Sequence, residues 1–294
     1  MTNASTYAHN FARNLAVADR RVELEFIPDR ALWPWLSLAP GHPVLIEKYQ
    51  YFGAMTASWA MQLFAPEAFT ALTRFDWRCE PAALAATQHA TRGLCRGRND
   101  DDGMGFSLDV SSSEGAVFYR TSGDGFVFTD RDFRAWREKC RQQAEAAGST
   151  AAFMPLSPSA CGLGADGHSF VGRADDAACL LAQVERGAGF FPQHPFHTGS
   201  GDHVNAAQLL DCALQAAHWF QGRGADWPTA LVCLAGEARF QRYVELDVPF
   251  EIHRIGSPDE SGIALQFVQG GRDNARISLQ FAPPGDASVE NSAE

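Results

Sequence analysis

Basic charge is scarce in this chain. Its 294 residues carry 24 Lys and Arg against 35 Asp and Glu, a formal net charge of −11. Proteins that grip phosphate backbones concentrate Lys and Arg, so no nucleic-acid partner is expected. Long apolar runs are missing too. None approaches the ~20 residues that cross a bilayer, and no membrane partner is expected. The opening stretch, MTNASTYAHNFARNLAVADR, holds no apolar segment of the secretory kind. The seven cysteines, at positions 79, 95, 140, 161, 179, 212 and 233, include no C-x-x-C pair. Such an odd, unpatterned set reads as reduced thiols, and the chain is expected to be cytoplasmic.

Cofactor signatures are equally thin. His194, His197 and His203 are close in sequence but have no acidic or cysteine fourth ligand at a zinc-like spacing, so no metal is expected. Gly162-Leu-Gly-Ala-Asp-Gly167 matches G-x-G-x-x-G, yet a proline-broken loop precedes it and no helical pattern follows. The dinucleotide reading fails on that context, and no cofactor is expected. Cys212 stands beside Asp211 on an apolar helix, where a thiol is inert rather than nucleophilic.

Apolar material is plentiful, at 46% of residues, and it is arranged twice in one order. In the first pass an extended segment (22–26) and a Trp/Pro loop precede an apolar helical run (46–64), then strand-like stretches at 72–79, 105–110, 116–121 and 125–128. In the second, an extended segment (178–184) and a His/Gly/Pro loop precede a nearly uncharged helix (206–220), then stretches at 237–246, 248–255, 263–268 and 275–281. The dipeptide Arg74-Phe75 follows the first helix and Arg239-Phe240 the second. A helix apolar on nearly every side must be enclosed, and a curled antiparallel sheet encloses it. The expected fold is therefore α+β: two fused units, each a curved antiparallel sheet around a long helix, the arrangement called a double hotdog. The N-terminal unit is placed at 1–149 and the C-terminal unit at 150–283, with a linker over 141–159 and a disordered tail at 284–294. Trp33, Trp35, Trp59 and Phe52 are expected in the core.

The second helix and its lead-in, Gly201-Asp-His-Val-Asn-Ala-Ala-Gln-Leu-Leu-Asp-Cys-Ala-Leu-Gln-Ala-Ala-His218, resemble the A-factor biosynthesis (AfsA-type) hotdog family. Asp202, His203, Val204, Leu209, Leu210, Gln215, Ala216 and Ala217 match its pattern without a gap. Val171-Gly-Arg173, His42-Pro43 with Glu47, and Phe75-Asp-Trp77-Arg-Cys-Glu-Pro81 resemble other parts of it. The sequence departs from that pattern where the family has an Arg after each helix acid, here Gln50 and Leu214; a leucine binds no phosphate. Leu209-Leu-Asp211-Cys-Ala-Leu-Gln215 is also similar to the dehydratases of polyketide synthases.

Both resemblances imply a substrate carried as an acyl thioester on an acyl carrier protein or coenzyme A. The first implies transfer or condensation of the acyl group onto a small acceptor, the second loss of water from a 3-hydroxyacyl thioester. A degenerate module that only binds an acyl group or its carrier is the third possibility. Dehydratases place a loop His about fourteen residues before the helix acid; His197 stands there for Asp211, but Trp33 stands there for Glu47. Asp211, His203, His197 and Glu47 are therefore the candidate catalytic groups, with His197 expected to face Glu47 across the units. His42, Gln215 and Asn205 are expected to bind substrate, and Gln215, four residues after Asp211, is expected to orient its carboxylate. The two units form a pseudo-dimer within one chain, which leaves monomer and homodimer both open.

Overall fold

The computed structural model describes residues 11–63, 69–100, 103–128, 133–147, 153–173, 179–188, 201–221, 232–259 and 261–282. The chain runs β1 (Ala12–Ala18), β2 (Arg21–Phe26), α1 (Pro43–Ala60), β3 (Phe69–Cys79), β4 (Arg92–Asp100), β5 (Gly103–Ser111), β6 (Val117–Phe128) and α2 (Phe133–Ala147). It continues through β7 (Val171–Arg173), β8 (Cys179–Ala182), α3 (Ala206–Phe220), β9 (Cys233–Phe240), β10 (Phe250–Asp259), β11 (Gly262–Gln269) and β12 (Arg272–Phe281). Among the described residues the twelve strands form one antiparallel sheet in the order β1-β2-β4-β5-β6-β3-β9-β12-β11-β10-β8-β7. Strand, strand, helix and four strands recur on either side of α2, and the sheet order is the same read inward from either edge.

The two runs of strands meet where β3 pairs with β9. Arg74 lies opposite Arg239 there, and Trp77 lies opposite Gly236. The arginines of the repeated dipeptide thus face each other across the ladder, while Phe75 lies opposite Ala238. The seam is packed on one face and charged on the other. Phe75 and Trp77 stack with centroids 4.9 Å apart, and the Trp77 ring covers Gly236 so closely that a Cβ there would lie 2.3 Å from Cζ2. Only glycine fits under that ring. On the opposite face Arg74 reaches Glu237 and Asp76, each at 3.0 Å.

Each helix is held by the strands of its own run and by the other helix. α1 packs on β1, β2, β4, β5 and β6, and also against α3. Its apolar faces enter a cluster in which the Phe11 ring lies 4.6 Å from Trp35 and 5.3 Å from both Tyr49 and Phe52. Trp33 and Trp35 are fully buried in that cluster, and the place fourteen residues before Glu47 holds a core tryptophan.

Two expectations need correction. Residues 141–147, read as linker, complete α2, and an ion pair ties that helix to the second half of the chain. Arg137 projects from it to Glu245 at 2.6 and 2.9 Å, with both side chains buried. Residues 116–121 and 125–128, read as two strands, are one, β6. Its glycines mark close approach instead of a turn: a Cβ on Gly125 would meet the Ala71 carbonyl at 2.5 Å. The expected tail at 284–294 lies outside the described residues. No helix of the described residues is long and apolar enough to cross a membrane.

Candidate functional site

α3 begins with a reciprocal cap. The Asn205 side chain accepts from the Gln208 amide at 3.0 Å, and the Gln208 side chain accepts from the Asn205 amide at 3.0 Å. That capping box satisfies two of the helix's orphan donors and fixes where the helix starts. Asp211 and Gln215 then share one face, one turn apart. Gln215 Nε2 donates to Asp211 Oδ2 at 3.1 Å and to the His168 carbonyl at 3.2 Å, while its Oε1 accepts from the Phe170 amide at 2.9 Å. The carboxylate is therefore tied, through Gln215, to the chain entering β7.

Only one Asp211 oxygen is served in this way. Oδ1 is buried and has no hydrogen bond. Burial pushes the Asp211 carboxyl up to about 7, and the Gln215 hydrogen bond only partly opposes it. Opposite Oδ1, at 4.0 Å, stands His42 Nε2 from the start of α1. The sequence GHP explains how it gets there. Pro43 takes the first helical position, where its fixed φ suits the helix and its missing N–H costs nothing. His42 becomes the N-cap, and its Nδ1 accepts from the Val44 amide at 3.2 Å. Gly41 brings that turn against β9, where a Cβ would already lie 3.0 Å from the Cys233 carbonyl.

The cap also fixes the chemistry of His42. An amide can only donate, so Nδ1 must accept, and the proton of the neutral ring sits on Nε2, facing Asp211. Burial, helped by nearby His218, lowers the His42 pKa to about 4, so the ring is neutral at pH 7. His218 lies on α3 two turns beyond Asp211, and its ring covers the backbone of Gly162. Gly162, at φ +70°, ends a short 3-10 turn. Gly162, the first glycine of the motif, thus belongs to a turn that packs against His218.

The site couples a fixed N–H donor with a carboxyl that titrates near neutrality, across two helices from opposite halves of the chain. Such a pair can hold a carbonyl oxygen on one side and take a proton on the other, because a point about 3 Å from both groups exists when they are 4.0 Å apart.

The other candidates are placed elsewhere. His203 Nδ1 contacts Asp202 Oδ1 at 2.5 Å, and its ring lies 4.4 Å from Tyr243, in the network around Arg137 and Glu245. It was expected beside Asp211; its place is set instead by the charge of Asp202, whose pKa His203 and Arg137 hold well below the usual range. Glu47 is buried and ion-paired with Lys48 at 3.0 Å. His197, expected to face it, lies outside the described residues, as does His194. Asn205, expected to bind substrate, caps α3 through its side-chain carbonyl, and its Nδ2 is buried without a hydrogen bond. A cavity of about 710 Å³, lined by Leu72, Trp136, Leu209, Phe240 and His203 among others, opens between α2, the start of α3 and the seam, and neither His42 nor Asp211 lines it.

No family model matches the sequence, and no curated protein matches it. Among solved structures the chain is similar to the 12:0-ACP thioesterase from Umbellularia californica. That match has a TM-score of 0.53 at 12% identity and covers 92% of this chain and 100% of the other. It is also similar to an acyl-ACP thioesterase from Bacteroides thetaiotaomicron VPI-5482, at TM-score 0.51 and 8% identity over 90% and 98% of the two chains. The dehydratase domain of RzxB from Pseudomonas fluorescens follows at TM-score 0.47 and 14% identity, over 92% and 97%. At such identities the likeness shows the fold alone. The two thioesterases carry it: most of this chain adopts a hotdog-type fold, a large antiparallel sheet with few helices.

Proposed function

We propose that this chain is a double-hotdog enzyme that processes acyl thioesters carried on an acyl carrier protein or coenzyme A, with Asp211 as general base and His42 as carbonyl-oxygen donor. The two-unit reading, with units at 1–149 and 150–283, is supported by the repeated element order and by Arg74 facing Arg239 at the seam. The observation that carries the chemistry is Asp211 Oδ1: buried, without a hydrogen bond, and 4.0 Å from the protonated nitrogen of His42. Buried carboxylate oxygens are normally satisfied, and one left open toward a donor is poised for a reacting group.

In the proposed reaction the thioester carbonyl oxygen takes the Nε2–H of His42. A small hydroxyl acceptor, water being the smallest, gives its proton to Asp211 as its oxygen attacks the carbonyl carbon. The negative charge that develops on the carbonyl oxygen meets the His42 donor. Collapse breaks the C–S bond, and the thiolate leaves with the proton from Asp211. Gln215 is a positioning residue that holds the carboxylate in line. Acyl transfer of this kind, onto a hydroxylated acceptor, is also the activity the AfsA-type resemblance implies. Dehydration asks for a different division of labour: a lone pair on the His42 nitrogen that takes the α-proton, and a protonated Asp211. The cap of α1 puts the proton on Nε2, which favours transfer.

Thiol release from saturated, 3-oxo and 3-hydroxyacyl thioesters of coenzyme A and pantetheine tests the proposal. As general base, Asp211 must be ionised, so kcat/KM should rise with pH through about 7 and then level. Enoyl-thioester absorbance that grows from the 3-hydroxyacyl substrate with no thiol released, at a rate that falls above that pH, assigns Asp211 as an acid and supports dehydration instead. Asp211→Asn and His42→Asn should each lower turnover by about 10²–10⁴-fold. The second variant keeps a side-chain acceptor for Val44, so its loss is chemical rather than structural. Wild-type turnover in both variants would refute the assignment. Carrier-protein binding with no thioester consumed would establish the binding-module reading.

A further inference from the structure

β8 is four residues long and makes four rungs with β10, and the rung at its N-terminal end joins Cys179 to His253. Direct partners in an antiparallel ladder project to the same face, and so does a residue two positions away. Glu251 is two positions from His253. All three side chains therefore leave one face of the sheet, while Leu180 and Ile252 point to the core on the other. The thiol of Cys179, a ring nitrogen of His253 and a carboxylate oxygen of Glu251 all lie within 4.8 Å of one another. His253 Nε2 and Glu251 Oε2 are 2.7 Å apart.

We propose that Cys179, Glu251 and His253 form a divalent transition-metal site of the zinc class. The donor set is one sulfur, one imidazole nitrogen and one carboxylate oxygen, which suits Zn²⁺ and disfavours Mg²⁺ or Ca²⁺. Metal–ligand bonds of about 2.0–2.3 Å in a tetrahedron put ligands roughly 3.3–3.8 Å apart, so small rotamer changes close the cluster on an ion. The ladder supplies the precision, because the Cys179–His253 rung is fixed by backbone pairing rather than by a loop. Thiolate and carboxylate together neutralise the charge of a divalent ion, and the fourth position is left for water. The burial gradient agrees: Cys179 is buried, His253 partly open and Glu251 toward solvent, so an ion enters from the Glu251 side. The site clips the open end of the short β8 ladder to β10. It shares no residue with the His42–Asp211 pair or with His194, His197 and His203.

The test uses the full chain, reduced and stripped of metal. Equilibrium dialysis against Zn²⁺ with metal analysis should find one ion per chain. Co²⁺ should give tetrahedral d–d bands together with a thiolate-to-cobalt charge-transfer band. Cys179→Ser should abolish that band and weaken Zn²⁺ binding by more than the roughly 10–100-fold typical of losing a supporting group. Asp211→Asn should bind as the parent does. Where Cys179→Ser fails to fold, Glu251→Gln carries the test from the solvent side, with the charge-transfer band kept and affinity lowered. Absence of stoichiometric Zn²⁺ binding, a thiolate band that survives Cys179→Ser in folded protein, or Zn²⁺ affinity unchanged in Glu251→Gln overturns the proposal.

Discussion

Asp211→Asn should make the protein more stable at alkaline pH while removing its activity. In the folded chain burial lifts this carboxyl from an ordinary 3.8 to about 7. A carboxyl whose folded pKa is raised binds its proton more tightly in the native state. It favours folding most below pH 3.8, and that contribution is lost as pH rises through about 7. The interval between those values corresponds to about 4 kcal/mol against the folded state above pH 7. Asparagine cannot ionise, so the replacement lifts that load. Some is given back: the amide must present its oxygen to Gln215 Nε2 and then turn its NH₂ toward the His42 N–H, a donor facing a donor, which costs about 1–2 kcal/mol. The net gain at pH 8 should be about 2–3 kcal/mol, falling through zero as pH drops toward 4. Urea unfolding of both proteins at pH 8, 6 and 4.5 measures it as the change in midpoint at constant slope. A difference independent of pH would show that Asp211 titrates normally, and the base assignment would fall with it.

Asn205→Ala should cost about 1 kcal/mol of stability through the lost cap and leave turnover unchanged, as read by urea unfolding beside the thiol-release assay. Gly236→Ala should destabilise by about 1–3 kcal/mol, because its Cβ meets the Trp77 ring at 2.3 Å and the Ser278 carbonyl at 2.8 Å; an unchanged melting temperature would mean the seam is looser than described. Arg137→Met should cost about 3–5 kcal/mol by leaving Glu245 buried without its partner, whereas the double change with Glu245→Leu should recover much of that loss, a difference that a double-mutant cycle reads directly.

The elements read best from sequence were those whose pattern has one cause. α3 was read with its observed bounds, 206–220, because a nearly uncharged run flanked by a cap and a charged exit has few alternatives. The start of α1 was placed three residues late, since Pro43 was not read as a first helical residue. β4 was missed because its sequence, RGLCRGRND, looks polar; it is a strand because β2 and β5 pair with it on both sides. β1 was missed because six of its seven residues are exposed at the sheet edge. α2 carries little apolar surface, and what anchors it is the Arg137–Glu245 pair, whose partner lies 108 residues away. Pairing and long-range charge leave no local period to read.

The site divides along the same line. Asp211 and Gln215 were legible because their relation is local, one turn on one helix. His42 was read as a substrate-binding residue but not as the neighbour of Asp211, because the fourteen-residue spacing relates a loop to the helix that follows it, whereas the group facing Asp211 comes from the N-terminus of the other helix, 169 residues earlier. One local signal did exist. A histidine before Pro at the head of an apolar helix is an N-cap, a cap must accept at Nδ1, and a neutral ring that accepts there projects its only proton from Nε2. Residue type alone could not separate the candidates, since each was ionisable or polar and close to a helix start. Their neighbours separate them: Asp202 contacts His203, Gln208 occupies the Asn205 carbonyl while Asn205 Nδ2 is left without a hydrogen bond, and Lys48 ion-pairs with Glu47. Among the described candidate acids, Asp211 keeps an oxygen with no donor or cation within hydrogen-bond distance, although leaving it so costs stability. That cost has no structural return in the resting chain; in the proposed reaction, the return comes from a substrate whose proton and carbonyl fit between Asp211 and His42.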